Sequence, residues 1–117
     1  MDVRHIAEAY VDECFYRETP PRVSELALLL GMSRAHLTVL FARQVRESPS
    51  ASLKRVQIER SVEVMQTIDH SLTRIAYMCG FGTRRTFFRA FRRFHRRSPG
   101  TVRRVDRMSL SRTAGRR

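Results

Sequence analysis

Apolar residues recur three and four positions apart along almost the whole chain, the spacing that lines one face of an α-helix. In VRHIAEAYVDECFY, Val3, Ile6, Tyr10 and Cys14 fall on such a face and predict a first helix, which Pro20 and Pro21 end. His5 lies near that face and reads as packing rather than as a ligand. RVSELALLLGM predicts a short apolar helix stopped by Gly31. Ser33 then caps RAHLTVLFARQV, with Leu37, Leu40, Phe41 and Val45 on one side. Ser48 as cap and Pro49 at the first helical position open a helix of about nineteen residues, striped by Leu53, Val56, Val62 and Met65. After SLTRIAYMCGFGTRRTFFRAFRRFHRRSPGTVRRVD, the residues from about Arg107 are small and basic and are expected to be disordered.

The pattern repeats. SELALLLGMSRAHLTVLFARQVRESP and TRIAYMCGFGTRRTFFRAFRRFHRRSP align: Leu26-Ala27 answers Ile75-Ala76, Gly31 answers Gly80, Phe41 answers Phe91, and Ser48-Pro49 answers Ser98-Pro99. The earlier pairs lie 49 apart and the later ones 50, so the second turn holds one extra residue. Two copies of one helix-turn-helix unit explain this. Ala27 and Ala76 let paired helices approach, and Gly31 and Gly80 permit a turn conformation that other residues resist. The predicted fold is all-α with about seven helices: a first helix-turn-helix subdomain over 1–47, a linker helix over 48–68, a second subdomain over 69–106 and a disordered basic tail over 107–117.

Charge changes the picture most. The net charge is +12, but residues 1–50 carry six arginines against seven acids, while residues 51–117 carry seventeen basic residues against four acids. From His70 to Arg104 there are ten arginines and no acid. A bias of this kind on one part of a folded chain points to a polyanionic partner. Of the 23 basic residues only Lys54 is lysine, which a GC-rich genome explains; base composition does not explain why the charge gathers at one end. Cys14 and Cys79 are too few for a disulfide framework or a four-cysteine zinc site and read as reduced core residues. No apolar run approaches the ~20 residues of a membrane span. The first residues also lack the layout of a signal peptide, so the expected location is the cytoplasm, at the nucleoid.

With both units in view, the chain resembles the DNA-binding domain of the AraC/XylS family of bacterial transcription regulators, from about Ile6 to Arg103. LALLLGMSRAHLTVLF carries the likeness in the first unit, and Ile75, Ala76, Gly80, Phe81, Phe87, Phe91, Ser98 and Pro99 carry it in the second. The resemblance implies seven helices, two recognition helices in successive major grooves, and control of transcription initiation. RNA polymerase is the further partner that activation would require in such a family. Several positions depart from the family's pattern. Arg46 and Arg96 stand where glycine is common, which predicts that those helix ends close differently; Ser61 replaces an alanine, Gln57 an arginine, and Thr83 an aspartate whose capping role it can keep.

A helical wheel names the candidate readers. Ala35, Thr38, Val39 and Ala42 point away from the buried face of the first recognition helix, a small and apolar surface suited to thymine methyls, with Thr38 as its polar reader. Arg34, His36 and Arg43 flank it and suit phosphates. In the second unit Phe87, Ala90, Phe91 and Phe94 form the buried stripe, and Phe88 falls at its border, against DNA or the linker helix. Arg85 and Arg89, near the helix start, are the expected base readers. Thr83, Arg84, Arg92, Arg93, Arg96 and Arg97 are the expected phosphate contacts.

The scattered histidines His5, His36, His70 and His95 form no catalytic or metal-binding arrangement, so neither an enzyme nor a cofactor or metal site is expected. The competing readings are a nonspecific architectural DNA-binding protein and the DNA-binding segment of a recombinase or transposase. The expected partner is double-stranded DNA, bound by a monomer unless an oligomerisation domain lies elsewhere, with no membrane involved. The chain reads as a stand-alone regulator or as part of a longer, effector-responsive one.

Overall fold

The computed structural model describes residues 1–114, with side chains as far as Met108. It contains seven helices: α1 Val3–Arg17, α2 Val23–Leu29, α3 Arg34–Val45, α4 Pro49–Thr67, α5 Leu72–Met78, α6 Arg84–His95 and α7 Pro99–Ala114. No strand is present among the described residues, and no single helix among them is long and apolar enough to cross a membrane.

Short polar side chains start most of these helices by accepting from amides that have no partner inside the helix. Asp2 caps α1, Ser33 α3, Ser48 α4, Ser71 α5 and Thr83 α6. Ser48 caps ahead of Pro49, whose missing N–H costs nothing at a first helical position.

Two apolar cores form, one per half. The first gathers Val3, Tyr10, Leu26, Leu37, Phe41 and Val56 from α1 to α4. The second gathers Ile58, Met65, Ile75, Phe87 and Phe91 from α4 to α6. The nineteen-residue α4 contributes to both and is the linker. Phe15 of α1 crosses to pack on the second core, and the Arg60 guanidinium on α4 holds both carboxylate oxygens of Asp12 on α1, at 2.6 and 3.2 Å. The first half therefore also grips the second directly.

Both helix-turn-helix units have the expected geometry. α2 and α3 meet at 96°, within the range of such motifs. Their turn and that of α5–α6 share one hydrogen-bond pattern: the amides of Gly31 and Gly80 donate to Leu28 and Tyr77, and those of Met32 and Phe81 to Ala27 and Ala76. Both glycines have positive φ, 64° and 81°. Since Phe81 still matches Met32 while Thr83 matches Ser33, the extra residue of the second turn is Gly82, itself at φ 79°.

Three expectations are corrected. Arg46 and Arg96 do not close their helices differently: both take the left-handed conformation that glycine would, at φ 56° and 58°. The chain must reverse there to reach the next Ser-Pro cap, and that demand outweighs a penalty of about 1 kcal/mol. His5 is exposed; two residues past buried Val3, the helical period turns it to solvent. Residues 107–114 continue α7 instead of forming a disordered tail. No proline or glycine interrupts that stretch. Its first turns are tied back by Arg103 donating to the Ile68 carbonyl, Gln66 to Asp106, and an ion pair between Arg107 and Asp69. Residues 115–117, the remainder of the expected tail, lie outside the described residues.

Candidate nucleic-acid interface

α3 and α6 are the second helices of their units, and their buried faces orient everything else. On α3, Leu37 and Phe41 are fully buried, so Arg34, Ala35, His36, Thr38, Val39, Ala42 and Arg43 are left exposed. Val39 keeps 45% of its surface in water, although nothing in its own packing requires an apolar residue there. The Thr38 hydroxyl donates to the Arg34 carbonyl at 2.9 Å, which orients it on the helix and leaves its oxygen free to accept.

On α6, Phe87 and Phe91 are fully buried and Ala90 nearly so. Phe87 stands edge-on to Phe91 at 5.7 Å and lies 5.1 Å from Phe81, an aromatic cluster that locks the helix rotation. Arg84, Arg85, Arg89, Arg92, Arg93, Arg96 and Arg97 are consequently all exposed, as is Thr83. The Thr83 hydroxyl accepts from the Thr86 amide at 3.1 Å and donates to the Thr86 hydroxyl at 2.9 Å. Phe88 is half-buried, packed on the second core with its remaining surface toward the arginine face, and the Arg84 guanidinium sits 4.7 Å above its ring. That cation–π contact holds Arg84 along the helix surface.

The charge arrangement is lopsided. Among the described residues, the ion pairs engage Arg17, Arg55, Arg60 and Arg107. Each of these serves α1, α4 or α7, and none involves an arginine of α6. Like charges gathered along one helix without counter-charges repel one another unless an anion lies across them. Arg92 and Arg93, in the last turn, are eased by the negative end of the helix dipole.

Two open grooves border this face. One, of about 660 Å³, runs over Arg84, Arg85, Phe88, Arg89 and Arg92. The other, of about 500 Å³, lies between the start of α4 and α6, where Ser48, Ser50 and Lys54 face Thr86, Arg89 and Arg93. Lys54, Ser50 and Thr86 are residues that sequence reasoning missed. Lys54 stands out in the sequence as the lone lysine, but only the packing of α4 on α6 puts it beside Arg89. Among the described residues no three His, Cys, Asp or Glu side chains gather as metal ligands. Cys79 is buried, and that burial pushes its thiol up to about 12, far from a reactive thiolate.

Comparison with known proteins agrees with this architecture. The family described as "Helix-turn-helix domain" matches residues 26–105. The chain is 34% identical over 70 residues to the HTH-type transcriptional regulator Rv1931c of Mycobacterium tuberculosis, covering 60% of this chain and 27% of that one. It is 29% identical over 99 residues to the raffinose operon transcriptional regulatory protein RafR of Pediococcus pentosaceus, covering 85% of this chain and 35% of the other. The chain thus spans about a third or less of the length of these curated relatives. Its fold matches the C-terminal domain of AraT, a response regulator from Geobacillus stearothermophilus, with a TM-score of 0.77 at 21% identity over 90% of this chain and 86% of that one. With two helix-turn-helix units in register around one linker helix, the chain belongs to the AraC/XylS-type helix-turn-helix family.

Proposed function

We propose that this chain is the DNA-binding unit of a sequence-specific transcription regulator, laying α3 and α6 in successive major grooves of one duplex. The observation that carries this reading is the exposure of all fifteen candidate contact residues, twelve on two helices whose opposite faces are buried and three, Thr83, Arg96 and Arg97, at the ends of α6. The spacing supports it. α4 has nineteen residues, about 28 Å at ~1.5 Å per residue, close to the ~34 Å turn of B-DNA. The whole body measures 53 × 25 × 23 Å, long enough to follow one face of a duplex for roughly one and a half such turns.

In this arrangement Ala35, Thr38, Val39 and Ala42 meet thymine methyls and base edges, while Arg85 and Arg89 fork onto guanines. Arg34, His36, Arg43, Thr83, Arg84, Arg92, Arg93, Arg96 and Arg97 hold the phosphates that set register. Two relatives bear the names of transcriptional regulators, in keeping with this role. On the same reading one copy suffices per site, the work is done on chromosomal DNA in the cytoplasm, and RNA polymerase is the machinery ultimately affected.

Selection of duplexes from a random pool at near-physiological salt, followed by sequencing, tests the proposal. Two sequence blocks about one turn apart are the expected result. Displacement by unrelated duplex at equal concentration would instead assign the chain to nonspecific architectural binding.

A further inference from the structure

Besides the packing of Phe15 on the second core, the two units meet at a small buried junction behind the second turn. Gln57, midway along α4 and 6% exposed, donates from Nε2 to the Cys79 carbonyl at 2.9 Å. That carbonyl belongs to the turn of the second helix-turn-helix. The adjacent Gly80 packs so closely that a Cβ there would stand 3.1 Å from Pro21 Cδ, 3.3 Å from Gln57 Nε2 and 3.4 Å from Pro20 Cα. Pro20 and Pro21 belong to the first unit, in the segment between α1 and α2.

This proline segment is itself anchored. The buried Tyr10 hydroxyl on α1 accepts from the Arg22 amide at 3.0 Å and donates to the Glu25 carboxylate at 2.8 Å. Burial foremost, with Glu25 adding to it, drives the Tyr10 phenol upward, so it keeps the proton it donates. A rigid strap from the first unit thus presses on the turn that aims α6, while Gln57 holds that turn from the linker. A continuous α4 alone would leave the second unit's turn attached through α5 and its core. The junction adds a fixed point next to the start of the second reader.

We propose that Gln57, with the Pro20-Pro21 strap, is a positioning element that sets the distance and rotational phase between the two readers. It determines which spacing of sequence blocks the chain accepts. The inference rests on the bipartite reading above, and the following experiment separates the two.

Binding is measured on duplexes carrying both blocks at spacings stepped one base pair at a time, and on duplexes carrying one block. The unaltered chain is expected to prefer one spacing by about tenfold or more. Gln57→Met keeps the side-chain volume but removes the donor. It is expected to narrow that preference to about threefold or less while single-block affinity stays within about twofold. Pro21→Gly, which loosens the strap and its packing on Gly80 while leaving every residue of α4 and the second unit in place, is expected to do the same. Retention of the spacing preference in both variants, judged on folded protein by helical circular dichroism, overturns the inference. Equal loss on single-block and double-block duplexes overturns it too, since the junction would then be merely structural. No spacing preference in the unaltered chain overturns the bipartite reading itself.

Discussion

Arg46 and Arg96, fifty positions apart, end the two recognition helices in the same left-handed conformation, at φ 56° and 58°. The backbone demand is equal at both places, but the surroundings differ. Arg96 continues the exposed basic row of α6, whereas Arg46 follows a helix with a single basic residue, Arg43, in its last turn. Glycine relieves the strain at either site, so Arg46→Gly and Arg96→Gly should each stabilise the fold by about 0.5–1 kcal/mol. Arg96→Gly should at the same time weaken DNA binding. Urea melts together with titrations of one duplex check both; a stabilised Arg96→Gly of undiminished affinity would remove Arg96 from the phosphate contacts.

Arg89 and Arg97 are both exposed and both cationic, yet they are expected to fail differently. Arg89→Ala should lower affinity for the preferred duplex by about 1–3 kcal/mol and relax the preference at one base position. Arg97→Ala should weaken every duplex alike and reduce the slope of log K against log salt by about one unit. Random-pool selection and salt titrations of the two variants check this. An Arg89→Ala variant with unchanged sequence preference would contradict its assignment as a base reader.

Phe87 and Phe88 adjoin in sequence and stand nearly perpendicular, at 86° with centroids 5.9 Å apart. Phe87 is fully buried among aromatic rings, so Phe87→Ala should cost about 3–5 kcal/mol of stability. Phe88 is half-buried and gives up only partial core packing together with the Arg84 contact, so Phe88→Ala should cost less, roughly 1–2 kcal/mol. Denaturant midpoints measure both. Equal costs would mean that the rotation of α6 about its axis differs from the one described here.

Cys14 and Cys79 are buried free thiols. Since burial holds the Cys79 thiol protonated up to about 12, at pH 8 it is almost wholly neutral in the folded chain and unreactive. Iodoacetamide should therefore leave Cys79 unmodified in native protein at pH 8, and Cys14 as well because it is buried out of reach; both should react once denaturant is added, as mass spectrometry will record. Rapid modification of Cys79 in native protein would show that the second core opens readily, and of Cys14 that the first does.

The sequence alone determined the parts whose causes are local. Helix period and caps placed α3 at residues 34–45 and started α4 after Ser48, because capping and face burial depend on residues within a few positions of one another. The repeat in register exposed two helix-turn-helix units, and the wheel sorted arginine from phenylalanine on α6, all by short-range spacing. Other features depended on which segments meet. Arg46 and Arg96 take a conformation their own chemistry disfavours because the path of the chain requires it. Lys54 comes beside Arg89 and Arg93 only because α4 packs on α6. α7 runs past residue 107 with contacts to residues 66–69 holding its first turns. Gly80 meets Pro21 across about sixty residues of chain, and no periodicity reports such a contact. Local pattern decides what each helix exposes. The distance and angle between the two readers are set by long-range packing, and there the tertiary structure alone decides.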